Sequence, residues 1–283
     1  MSENGIGANR SGMRCNDASH SDAGHDNNTS YSSSKHNGAS LSVQHVTKTF
    51  PAPDGTSTFA ALSDVSFELA ESSCAFIAGA NGSGKSVLMA IIARLESANS
   101  GIVRITRGGK NARAGLVFQD ADSQLLGETP LEDVSFSLKN IGVPRGEAKQ
   151  KALEVLSQVG LADKALFPAR FLSGGEKRKL AVASVLALDM PLIIFDEPYA
   201  NLDYHGVQQV NEIITLLKKR GITVLILTHE LEKSLALCNR FIVLHHGKKM
   251  FDGSAREGLS QDLEAWNIRN PLVSYKKIED LLW

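Results

Sequence analysis

Gly79-Ala80-Asn81-Gly82-Ser83-Gly84-Lys85-Ser86, or GANGSGKS, is the stretch from which the rest of the chain is read. It has the spacing G-x-x-x-x-G-K-[ST], with Gly79, Gly84, Lys85 and Ser86 in the fixed places. Glycines let the backbone turn with positive φ and bring its N–H groups close to a ligand. Several N–H groups pointing inward make a concave anion site, and a helix that starts there adds its N-terminal dipole. In such a loop Lys85 reaches terminal phosphates and the Ser86 hydroxyl holds Mg²⁺. The flanks agree: Cys74 to Ala78 is a strand-like apolar run, and Val87 to Ala93 is an apolar run that opens a helix.

At 283 residues the chain has room for one or two domains. Its formal net charge of -1 gives no broad electrostatic footprint for nucleic acid, and no nucleic-acid partner is expected. No run of 18 apolar residues is present, so none of it reads as membrane-spanning. Cys15, Cys74 and Cys238 are odd in number and scattered, which points to a reducing, cytosolic setting rather than a disulfide framework. Residues 1–40 are rich in Ser, Asn, Gly, Asp and His and poor in large apolar side chains. Such a tail cannot offset its ordering entropy and is expected to be disordered.

From there the pattern predicts a fold. Leu41 to Phe50 alternates and reads as a strand, followed by a turn-rich loop, Pro51 to Ser57, and a second strand, Val65 to Leu69. Ile102 to Ile105 and Gly115 to Phe118 continue the β pattern. Leu131 to Leu138, Ala148 to Val159 and Glu176 to Leu188 have helical spacing. Pro191 to Phe195, Ile222 to Leu227 and Phe241 to Leu244 are strands, with a helix from Val207 to Lys219. Strands alternating with helices imply parallel pairing. The expected architecture is α/β: a P-loop core with a mostly parallel sheet, an N-terminal antiparallel β subdomain, and an inserted helical subdomain at about 120–188. Residues 254–283 read as a short C-terminal helical extension.

Leu192-Ile193-Ile194-Phe195-Asp196-Glu197 is an apolar strand that ends in two acids. The carboxyl edge of a parallel sheet is where ligands bind. Asp196 is placed to hold Mg²⁺, and Glu197 to act as general base toward an attacking water. A third motif is Leu172-Ser173-Gly174-Gly175-Glu176. Ser173 and Glu176 form a capping-box pattern, and the paired glycines leave bare N–H groups at a helix start, a second phosphate seat. One nucleotide does not need two seats in one chain, so this one is read as serving the nucleotide of a facing subunit.

LSGGE resembles the signature of the ABC-type ATPases, and the resemblance spans about residues 41–253. GANGSGKS, Val117-Phe118-Gln119-Asp120, LSGGEKRK, LIIFDEP, Asn201-Leu202-Asp203 and Thr228-His229-Glu230 stand in that family's order. The resemblance implies a head-to-tail ATP sandwich dimer, of identical or related chains. It implies that Phe50 stacks on adenine, that Gly79 to Val87 cradle the phosphates, and that Gln119 touches Mg²⁺ and water. It also implies that Asp203 bridges the subunits and that His229 contacts the γ-phosphate and aligns Glu197.

Gln124-Leu125-Leu126, the run Pro130 to Asn140 and the turn at Asn140, Gly142 and Pro144 resemble the energy-coupling-factor importers. That resemblance implies a transmembrane transporter subunit as partner, a separate substrate-binding membrane subunit, and a place on the cytoplasmic face of the cell membrane. The competing reading is a soluble ABC ATPase of iron–sulfur assembly or repair. Repair ATPases insert long coiled coils before the signature, whereas Asp120 to Phe171 is too short for one.

Overall fold

The computed structural model describes residues 38–52, 55–120, 122–273 and 277. The N-terminal part is a four-stranded antiparallel sheet. It contains β1 (Ser40–Pro51), β2 (Thr58–Leu69), β4 (Ser100–Arg107) and β5 (Lys110–Asn111), in the order β2-β1-β4-β5. β2 begins well before the predicted Val65. The hairpin register shifts between Val43 and Thr49, so alternation is lost in the part of β2 that nonetheless pairs with β1.

The second sheet has six strands in the order β10-β9-β3-β8-β7-β6. They are β3 (Cys74–Ala78), β6 (Ala114–Val117), β7 (Leu192–Asp196), β8 (Thr223–Leu227), β9 (Arg240–His245) and β10 (Lys248–Gly253). All neighbours pair in parallel except β9 and β10. The central strands are buried on both faces, as parallel strands covered by helices must be. Phe76, Ile193, Phe195, Val224 and Ile226 face one core, while Ala75, Ile77, Ile194, Leu225 and Leu227 face the other. β10 was not predicted; its half-exposed Lys-Lys-Met-Phe-Asp-Gly lacks an apolar run and becomes a strand by pairing with β9.

Helix α1 (Lys85–Ile92) packs its Leu88, Met89, Ile91 and Ile92 between the two sheets. Three helices lie between β6 and β7: α2 (Pro130–Asn140), α3 (Arg145–Gln158) and α4 (Gly174–Ala187). They share a core of their own, built on Val134, Leu138, Ala152, Leu156 and Leu180. α4 belongs to two cores at once. Its Leu180, Ala183 and Ala187 face the helices, and Ala181, Val182 and Val185 face the sheet. Asp133 of α2 is 4% exposed, and its carboxylate accepts from Leu126 N (2.7 Å), Gly127 N (3.0 Å) and Ser184 Oγ (2.8 Å). Those bonds satisfy a buried charge and pin the loop after Gln119 to α4.

After β7, α5 (Tyr204–Lys219) crosses back to β8, and the short α6 (Leu231–Ser234) leads toward β9. In the C-terminal extension, α7 (Ala255–Leu259) and a single turn at Glu264–Trp266 are described. Leu263 and Ile268 there are 2% and 3% exposed, so this segment is packed on the core. The predicted disordered tail lies outside the described residues up to 37. Gly38 and Ala39 are buried, and Ser40 opens β1.

Candidate active site

The loop after β3 turns through Gly82 (φ 78°) and Gly84 (φ 102°), values that an L side chain rarely adopts. A Cβ on Gly84 would stand 2.6 Å from the Ala61 carbonyl. Gly84 is the N-cap of α1 and no side chain caps that helix, so its first N–H groups are left for a ligand. Lys85 is buried and donates to the carbonyls of Gly79 (2.7 Å) and Ala80 (3.3 Å), which curl the loop around its ammonium. Gly79 is needed for close approach: a Cβ there would fall 2.3 Å from Ser83 Oγ and 2.5 Å from the Leu244 carbonyl. Gly79→Ala is therefore expected to cost about 2 kcal/mol of stability, in the range of forced core clashes. It should also lower ATP affinity, which thermal melts with and without nucleotide will read.

A cavity of about 400 Å³ opens over the loop. Asn81, Gly82, Ser83, Gly84, Lys85, Ser86 and Val87 form one wall, and Gln119, Glu197 and His229 close the other. Three strands far apart in sequence deliver these groups: Gln119 follows β6, Glu197 follows β7, whose last residue is Asp196, and His229 follows β8. All emerge at the carboxyl edge of the parallel sheet.

Glu197 takes a left-handed φ of 42°, unusual for a residue with a side chain, and its N–H is held by the Leu227 carbonyl at 2.8 Å. That turn aims the carboxylate at the loop. Its Oε1 lies 3.5 Å from Lys85 Nζ and 3.1 Å from His229 Nδ1. A carboxylate only accepts, so His229 carries the proton on Nδ1 when it makes this bond. Glu197 Oε2 is buried with no hydrogen-bond partner among the described residues. An orphaned carboxylate oxygen at the cavity is what a base for water requires.

Asp196 Oδ1 is likewise buried and without a partner among the described residues. Burial pushes the Asp196 pKa up, the Glu197 charge adds to this, and Lys85 opposes it. Oxygen donors fit Mg²⁺, which takes one or two carboxylates and completes its shell with substrate phosphate and water. The orphaned Asp196 Oδ1, with the Ser86 hydroxyl and Gln119 amide on the cavity wall, meets that requirement. Because burial penalises its charge without a cation, Asp196→Asn is expected to raise the melting temperature of the nucleotide-free protein. The same change should abolish the extra protection that Mg²⁺ adds to ATP, measured in melts with and without EDTA.

Phe50, expected to stack on adenine, does not line this cavity. It pairs across the hairpin with Phe59, ring centroids 5.7 Å apart, and Phe59 is the aromatic on the cavity wall, 51% exposed. Sequence reasoning missed Phe59, because the two rings are cross-strand partners on one face of the hairpin and only the tertiary structure shows which of them borders the loop.

None of Leu172, Ser173, Gly174, Gly175 and Glu176 lines the cavity. Ser173 caps α4: its Oγ accepts from Glu176 N at 3.3 Å, and Glu176 Oε2 accepts from Ser173 N at 2.9 Å. Burial pushes the Glu176 carboxyl up, but Lys164 beside it and the bonds to Ser173 together outweigh that and hold it below the usual range. Asp203, expected at a subunit contact, is exposed and caps α5, accepting from Gly206 N at 2.7 Å.

A P-loop with a strand-end acid pair and a histidine just past the neighbouring strand defines a nucleotide triphosphatase of the P-loop class. The family profile described as "ABC transporter" matches residues 62–200. The energy-coupling factor transporter ATP-binding protein EcfA1 of Lacticaseibacillus paracasei is 37% identical over 86% of this chain and 88% of its own. The cobalt import ATP-binding protein CbiO of Rhodobacter capsulatus is 34% identical over 80% and 84%. Among solved structures, cbiO1 of Clostridium perfringens, part of the complex cbiONQ, superposes with a TM-score of 0.66. It is 29% identical and covers 82% of this chain and 95% of that one. A dimeric ATP-binding cassette in a post-hydrolysis state with ADP and Pi gives 0.65 at 27% identity, over 76% and 98%. The chain belongs to the ABC transporter ATP-binding family, and it is an ATPase of that family. No helix among the described residues is long and apolar enough to cross a membrane.

Proposed function

We propose that the chain is the ATP-hydrolysing subunit of an energy-coupling-factor type importer for a metal ion or vitamin, working as a dimer on the cytoplasmic membrane face. The observation that carries this reading is the separation of the two phosphate seats. The P-loop cavity is closed by Gln119, Glu197 and His229, while the capped start of α4 with Gly174 and Gly175 stands outside it. Each ATP is completed by the signature of a second copy or a close relative, with Asp203 at the seam. Phe50 and Phe59 offer apolar rings for the adenine.

When ATP binds, Lys85 exchanges its loop carbonyls for the terminal phosphates, and the N–H groups of Gly82 to Val87 hold the others. Ser86, Asp196 and Gln119 would hold Mg²⁺, which supplies positive charge against the transferring phosphoryl group. Glu197 takes a proton from water through the oxygen that has no partner among the described residues, and His229 keeps the carboxylate turned toward the phosphate. ATP stabilises only the closed dimer, so hydrolysis lets it reopen. The segment from Gln119 to Asn140 passes that change to a transmembrane subunit, and a separate membrane protein selects the cargo.

The kinship with EcfA1 and CbiO, and the seat of cbiO1 in cbiONQ, support a membrane partner. Expressed from its own locus, the chain is expected in the membrane fraction and to be released by detergent together with integral membrane proteins. Recovery solely in a water-soluble complex would favour the iron–sulfur or repair reading.

A further inference from the structure

Arg178 is the third residue of α4 after Gly175, and it is 4% exposed. Burying a guanidinium is costly, and a buried charge is retained where its bonds serve a purpose an apolar side chain cannot. Its two terminal nitrogens do not bond within the helical core. Nη1 donates to the Phe118 carbonyl at 3.1 Å, and Nη2 donates to the Ala200 carbonyl at 3.2 Å. Phe118 immediately precedes Gln119, and its N–H is held from the other side by Gln124 Oε1 at 3.1 Å. Ala200 N in turn donates to the Glu197 carbonyl at 3.2 Å, and Ala200 is followed by the left-handed Asn201 and, two residues later, by Asp203 in extended conformation. The flanking residue Lys177 pairs with Asp122, also in the loop after Gln119. Burial lowers the Arg178 pKa, and the charge of Asp120 opposes that, keeping the group cationic.

One rigid fork therefore spans the signature helix, the loop carrying Gln119 and the loop between Glu197 and Asp203. An ammonium presents its donors from a single point and cannot hold two carbonyls in this planar way. We propose that Arg178 is the positioning residue that makes these three segments move as one body, so that displacement of α4 by a facing subunit is transmitted to Gln119 and Glu197 together. The inference rests on the roles given above to Gln119 and Glu197.

The test compares the full-length protein with Arg178→Met and Arg178→Lys. In Arg178→Met, amide hydrogen exchange should rise at least fivefold both in the loop at 118–126 and at 198–203, with α3 unchanged. The kcat for ATP should fall at least tenfold while the Kd for ADP stays within twofold. Arg178→Lys should fall between the two. Combining Arg178→Met with Gln119→Ala should lower kcat no further than the worse single change. The inference is overturned if either loop keeps its native exchange, if kcat is unchanged, or if kcat and ADP affinity fall in parallel. Multiplying effects in the double variant, or native behaviour of Arg178→Lys in both loops, also overturn it. Should the unsubstituted protein fail to hydrolyse ATP, the function proposed above falls, whereas the exchange measurement still decides the case of Arg178.

Discussion

Glu197→Gln should reduce ATP turnover at least a hundredfold and leave ATP affinity nearly intact. General-base catalysis contributes roughly 10²–10⁴ in rate, and the amide keeps the volume and the bond to His229 while losing the basic oxygen. Glu197 Oε2 has no partner among the described residues, so the substitution breaks no bond seen on that side. The ion pair of Lys85 with Oε1, at 3.5 Å, is lost, which frees the ammonium for phosphate. ATP that binds and is not consumed should hold two subunits together, seen as a shift to dimer mass in light scattering with ATP and Mg²⁺. Turnover within threefold of the native rate would remove Glu197 from the role of base.

Ser173→Arg should silence hydrolysis in a pure mutant dimer without unfolding it. The hydroxyl cap on Glu176 N contributes about 1 kcal/mol, so the melting temperature should fall by only a few degrees. The long cationic side chain, however, would project from the exposed N-cap into the seat offered to the facing nucleotide. ADP should still bind each isolated subunit at its own P-loop, because Ser173 does not line that cavity. Full-rate hydrolysis by the mutant alone would mean that the seat at α4 serves no nucleotide.

The core strands were legible because a two-sided buried strand must be almost wholly apolar, as in Ile193-Ile194-Phe195 and Val224-Leu225-Ile226. The glycine loop was legible because its spacing has a mechanical cause. Short and edge elements were not: β5, β10 and α6 owe their conformation to neighbours rather than to periodicity. At the site, Lys85, Ser86, Gln119, Glu197 and His229 are legible from their motifs, and they line one cavity. Phe59 and the role of Arg178 are not legible there. An aromatic next to a turn and a basic residue after a signature look like ordinary surface until burial and register are known.

What the sequence determined by itself was chemical identity and order: an anion loop, an acid pair ending a strand, a capped glycine pair and a histidine, each set by local backbone rules. What only the tertiary structure decided was which of these meet. The parallel sheet brings the ends of β6, β7 and β8 side by side above the loop that follows β3, although more than a hundred residues separate Lys85 from Glu197. The left-handed turn at Glu197, the two oxygens without partners and the fork of Arg178 arise from that convergence. Spacing rules reach one helical turn or one hairpin, and contacts across a sheet lie beyond them.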